Sequence, residues 1–178
     1  MTDPDRDLQT ALLVEIPAAE PVVGRHRARL DANAARGVPA HVTVLFPFVP
    51  VSRLGTAELD RLGRLFTEVP AFDVWLDHTD WFGTSVLWVG PRDPGPFREL
   101  TARVFAAFPD YPPYEGLIEV VVPHLTVGED SQVDEMRRAE GQIARRLPVA
   151  DRVTAVTLIA ESSRGGQWRT VASFPLGC

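Results

Sequence analysis

The amino-acid sequence predicts an α+β fold, two similar lobes of antiparallel sheet plus helices facing each other around a central groove. Three observations carry this expectation. One order of elements, namely strand, helix, histidine-bearing strand, helix, strand, occurs twice along the 178 residues. Each copy holds a His-x-Thr motif, at His41 and at His124. No low-complexity linker parts the copies, so one domain over 1–178 is expected, with lobes from about 10–80 and 84–178 and a crossing point at 91–96.

In the first copy the apolar run Ala11 to Ile16 predicts a strand, and Pro21 to Ala35 predicts a helix with proline at its start and Gly37 beyond its end. Ala40 to Phe48 is the histidine-bearing strand. Leu59, Leu62, Leu65 and Phe66 give Thr56 to Val69 a helical period, and Phe72 to Leu76 alternates as a strand does. The second copy opens with the strand Ser85 to Val89 and a helix from Phe97 to Phe108. A β-rich run at Ile118 to Val127 and a polar amphipathic helix at Glu129 to Leu147 follow. Two strands close the chain, Arg152 to Ala160 and Trp168 to Phe174, joined by the turn-forming Ser162 to Gly166.

With 45% hydrophobic and 24% charged residues the chain can bury a core of ordinary size. No run approaches the roughly 20 apolar residues of a membrane span, and the charged start MTDPDRDLQT does not read as a signal peptide, so a cytoplasmic monomer is expected. The single cysteine, Cys178, excludes an intrachain disulfide and a cysteine-rich zinc site. A net charge of −6 argues against a broad hold on long nucleic acid, which rests on many cations neutralising phosphates. Arg25, Arg27 and Arg29, and likewise Arg137, Arg138, Arg145 and Arg146, read as solvated helix faces.

Residues i and i+2 of a strand share a face, so His41 projects with Thr43 and His124 with Thr126. If the lobes face each other, two imidazoles and two hydroxyls converge. Such a square suits a phosphodiester: a neutral histidine takes a proton while a protonated one gives one to the leaving oxygen, and both states exist near neutral pH. The threonine hydroxyls can donate to the non-bridging phosphate oxygens. Phe82, Trp81 and Tyr114 could stack on a nucleobase or pack in the core. His78, Asp80 and Asp77 offer metal-ligand atoms without an established ligand pattern, and neither a metal nor another cofactor is assigned. His26 reads as an exposed helix residue.

At these residues the sequence resembles the 2H phosphoesterase superfamily, in particular its bacterial 2'-5' RNA ligase-like branch. The resemblance runs through His41 to Phe48, Tyr111 to Gly116 and Pro123 to Gly128. It implies a bilobal fold with pseudo-two-fold symmetry and metal-independent catalysis, with His41 as acid and His124 as base. It also implies a substrate that is a cyclic phosphate or 2'-5'-type phosphodiester of a nucleotide or short RNA end. The sequence departs from the pattern at one place: many RNA 3'-end cyclic phosphodiesterases of this superfamily carry an arginine soon after the second motif, whereas here Gly128, Glu129 and Asp130 follow. Arg92 or Arg164 could supply the missing cation. A second reading is an inactive domain that binds a nucleotide or RNA end.

Overall fold

The alternating and apolar segments assemble into two four-stranded antiparallel sheets. The computed structural model describes residues 7–130 and 132–178. The first sheet has the order β2-β1-β7-β8, with β1 Thr10–Glu15, β2 His41–Leu45, β7 Ala155–Glu161 and β8 Trp168–Pro175. The second has the order β5-β4-β3-β6, with β3 Phe72–Phe82, β4 Val86–Pro91, β5 Leu125–Glu129 and β6 Val149–Val153. Each histidine-bearing strand therefore lies at a sheet edge. It pairs there with the strand that precedes it in the chain, and a helix joins the two.

Those helices are α1 Glu20–Leu30 and α4 Gly95–Ala107, each with a proline in its first turn, where the missing N–H costs nothing. Short α2 Ala32–Ala35 follows α1, and Asp31 caps it by accepting from the Asn33 N–H at 2.9 Å. In α3 Thr56–Thr67 the Leu62 and Phe66 side chains turn inward, and in α5 Val133–Ala144 so do Met136, Ala139 and Ile143.

The lobes exchange support. Helix α1 packs on β5 of the other sheet and α4 packs on β2. An edge strand exposes carbonyls that need donors. Thr101 on α4 donates to Val44 O at 2.7 Å, and Arg27 on α1 donates to Thr126 O at 3.1 Å. Each lobe thus satisfies a carbonyl on the other's histidine-bearing edge.

Side chains of β1 divide by parity. Leu12 and Val14 join the main core between sheets and helices, whereas Ala11 and Leu13 form a second apolar cluster with Val38 and Ile159, against which Phe46 and Trp168 pack. This cluster floors the groove.

Three expectations change. The lobes are not the contiguous halves 10–80 and 84–178: β3 pairs with β4 and β6, while the last two strands return to the first sheet. The chain passes between sheets ahead of β3 and again at Thr154, which splits the expected strand Arg152 to Ala160 into β6 and β7, rather than at 91–96. Nor do residues 118–124 extend β5. Tyr114, Glu115 and Gly116 adopt positive φ and turn the chain, and Leu117, Ile118 and Val120 lie exposed. Among the described residues no helix is long and apolar enough to cross a membrane.

Candidate active site

Between the sheets lies a cavity of about 650 Å³ whose wall includes His41, Thr43, His124 and Thr126, the four residues that the two motifs place on one face of each strand. Apolar side chains supply most of the remaining wall, Leu13, Ile159 and Trp168 from the first sheet and Phe82 and Val86 from the second.

The two imidazoles are held alike. His41 Nδ1 lies 2.7 Å from Pro39 O, and His124 Nδ1 lies 2.7 Å from Val122 O, each a carbonyl two residues upstream. A carbonyl only accepts, so in each ring Nδ1 carries the proton and donates, and Nε2 is left with its lone pair for the cavity. The same geometry recurs at both motifs although the preceding residues differ, Pro39 and Ala40 before His41 and Val122 and Pro123 before His124.

Burial pushes both histidines below the ordinary imidazole range. For His41 burial is the larger cause, with the nearby Arg27 guanidinium and His124 adding to it against the bond to Pro39, and its pKa falls to about 4. His124 is lowered by burial too, against the bond to Val122. Each therefore rests neutral at pH 7, and an anion between them would favour protonation of one.

Arg27, expected on a solvated face, is only 2% exposed. Its guanidinium donates to Asp31 Oδ2 at 2.8 and 3.2 Å, to Val38 O at 3.2 Å and to Thr126 O at 3.1 Å. It thus binds the approach to β2 and the middle of β5 at once. The signal was present in the helical phase: Val23, Arg27 and Leu30 share one buried face of α1, four and three residues apart. Arg25 and Arg29 do lie outward, in a shallow cleft with His26 and Arg138 against α5, where burial and then the arginine charges hold His26 below its ordinary value.

Phe82 and Tyr114 both line the cavity. Phe82 packs edge-to-face on the His124 ring with centroids 4.8 Å apart, and Trp88 backs both. Burial, the larger cause, pushes the Tyr114 phenol above its ordinary pKa, against a lowering contribution from the nearby Thr43 hydroxyl. Trp81 is elsewhere: its Nε1 donates to Glu140 at 3.0 Å and Arg137 stacks on its ring. His78 bonds Asp77, which also pairs with Arg92 at 2.9 Å, and none of the three lines the cavity. Arg92 and Arg164 thus do not supply a cation to the wall, whose charged members are Asp31 and Glu129.

The model of the 2'-5' RNA ligase superfamily matches residues 14–165 of this sequence, across both motifs. The chain belongs to that superfamily. It is of the 2H phosphoesterase type, and its two antiparallel sheets have the fold of that group. Similar solved structures include Escherichia coli LigT complexed with 3'-AMP, at 18% identity and TM-score 0.61 over 97% of this chain and 100% of that one. LigT complexed with ATP has 18% identity and TM-score 0.60 over the same shares. TT0787 of Thermus thermophilus has 19% identity and TM-score 0.62 over 94% of this chain and 97% of that one. At these identities the likeness is one of fold. No curated protein matches the sequence.

Proposed function

We propose that this 2H-type protein hydrolyses a cyclic phosphate or a 2'-5'-type phosphodiester of a nucleotide or short RNA end by two-histidine acid–base catalysis. The observation that carries the reading is the pairing of His41 and His124 on one cavity wall, each presenting Nε2 with Nδ1–H tied back to its own chain. A phosphodiester between them brings a negative charge that lifts their depressed pKa values, so one imidazole gains the proton it must give to the leaving oxygen. The family resemblance gives that acid role to His41 and the base role, taking a proton from water, to His124. Thr43 and Thr126 donate to the non-bridging oxygens. Phe82 and Tyr114 flank the phosphate site and offer ring faces or edges to a base. The complexes of LigT with 3'-AMP, ATP and phosphate support a nucleotide as the ligand class.

A hydrolysis screen over 2',3'-cyclic mononucleotides, cyclic-phosphate-ended oligonucleotides and 2'-5' dinucleotides tests the reading. Turnover should fall by about 10² to 10⁴-fold in His41→Ala and in His124→Ala, with the double variant losing far less than the product of the two. A folded variant of either kind with near wild-type rate would refute the mechanism.

A further inference from the structure

We infer that the first-sheet half of the cavity is a subsite for an apolar alcohol esterified to the phosphate, so that the substrate is a nucleotide phosphodiester whose leaving group is rich in hydrocarbon. The inference rests on the two-histidine reading for its chemistry, with His41 as acid, and on the composition of one sheet face for the leaving group.

An antiparallel sheet with one face on a core and the other toward water alternates apolar and polar residues along each strand. The first sheet departs from this. Leu12 and Val14 of β1 face the main core, and Ala11 and Leu13, which point the other way, are apolar too and almost fully buried. Ala11 lies opposite Ile159 of β7, and Leu13 lies opposite Thr43 of β2, the threonine assigned to phosphate. With Val38, Phe46 and Trp168 they make the second apolar cluster, and every member of it lines the cavity. The one polar side-chain atom in the cluster, Trp168 Nε1, is buried, so the cluster offers a ligand no hydrogen-bonding side chain. The second sheet is built otherwise. Its face that carries Thr126 has Trp88 beside that residue and Asp80 beside Trp88, with Asp80 and His78 exposed.

Apolar wall continues past this floor. The Tyr114 N–H donates to Phe46 O at 2.7 Å, and the chain runs from there to Val122, two residues before His124, with the exposed Ile118 and Val120 on the cavity wall. Such surface gains by being covered, and a hydrocarbon group on the phosphate covers it without leaving a polar group unpaired. In the reaction His124 takes a proton from water, the water oxygen bonds to phosphorus, the bond from phosphorus to the alcohol oxygen breaks, and His41 gives its proton to that oxygen. The products are a nucleoside monophosphate and the apolar alcohol.

The test uses adenosine 2'-phosphate esterified to methanol, butanol or glycerol, with kcat/KM measured for the wild-type protein and equilibrium affinity for His124→Ala. A buried methylene contributes about fourfold, so the butyl ester should exceed the methyl ester by about tenfold or more in each. It should also exceed the glyceryl ester, although glycerol is the more acidic alcohol and the better leaving group. Leu13→Thr and Ile159→Thr, with folding checked by thermal unfolding, should bring the butyl-to-methyl ratio toward one. A glyceryl ester as good as the butyl ester for the wild-type protein, or a 2'-5' dinucleotide better than it, would overturn the inference without any variant at the floor. A ratio unchanged in both folded variants would do the same. Tighter binding of the butyl ester without turnover of any ester would uphold the apolar subsite and refute hydrolysis. Turnover without preference would do the reverse.

Discussion

The depressed pKa of His41 makes stability a reporter of the site, without need of a substrate. The fold favours the neutral ring, so the unfolded chain takes up this proton first as pH falls. The sign follows: the histidine costs nothing above its ordinary pKa of 6.5, and stability is lost as pH falls from 6.5 toward 4, with no further loss from this group below that. One pKa unit corresponds to about 1.36 kcal/mol, so between pH 7 and pH 4.5 the expected loss is about 2 to 3 kcal/mol. For a chain of this size that is roughly 5 to 10 °C in Tm. Other groups titrate in the same range, and a His41→Gln variant separates them from His41. Urea unfolding of both proteins at pH 7.0, 5.5 and 4.5 reads the difference. The variant should lose about 2 kcal/mol less than the wild-type protein over this interval. Equal losses would show that the ring is not held neutral by its surroundings and would remove the basis for charge-induced protonation on substrate binding.

Arg27→Met should destabilise the protein by about 3 to 5 kcal/mol, because it strands the Asp31 carboxylate in the interior, and Asp31→Asn in the same chain should restore part of that loss in thermal unfolding. On the proposed mechanism Thr43→Val and Thr126→Val would each remove one donor to phosphate and leave proton transfer intact, so each should cost less in kcat than either histidine variant, in the same hydrolysis assay. Rates should be bell-shaped in pH if one histidine must be protonated while the other is neutral, and a monotonic profile from pH 5 to 9 would count against the pair. Affinity for RNA ends should gain little beyond a few nucleotides in a length series at fixed salt, since no Lys or Arg is among the described residues that line the cavity.

The four motif residues were legible because strand parity is a strong constraint: once His41 and Thr43 share a β-strand, they share its face. The two-lobe plan was legible from the repeated order of elements. What the sequence hid was decided by tertiary context. The run Arg25, His26, Arg27, Arg29 carries the composition of a solvated face, and the partner carbonyls that take Arg27 inside lie 11 and 99 residues away. The aliphatic segment from Leu117 to Val122 has the composition of a strand, yet it follows a turn of positive φ and serves as cavity wall. The seam at Thr154 had no turn residue to mark it, because β6 and β7 continue in extended backbone and differ only in which sheet they join.

That seam governs the order in which the protein can be made. During synthesis β1 and β2 emerge first, but the strand that covers the other side of β1 arrives only with residues 157–160, after the whole second sheet. Until then the nascent first lobe is a two-stranded ribbon with one apolar edge open, a form that is marginal in water and prone to pair with other chains. Ile159 and Trp168, which close one side of the cavity, come from the same late strands. The two halves of the chain therefore cannot be separated at its middle and recombined. A cut in the loop between β3 and β4 would leave β1 without β7 in one fragment and β4 without β3 in the other, so the two halves of the chain depend on each other for the backbone pairing inside both sheets.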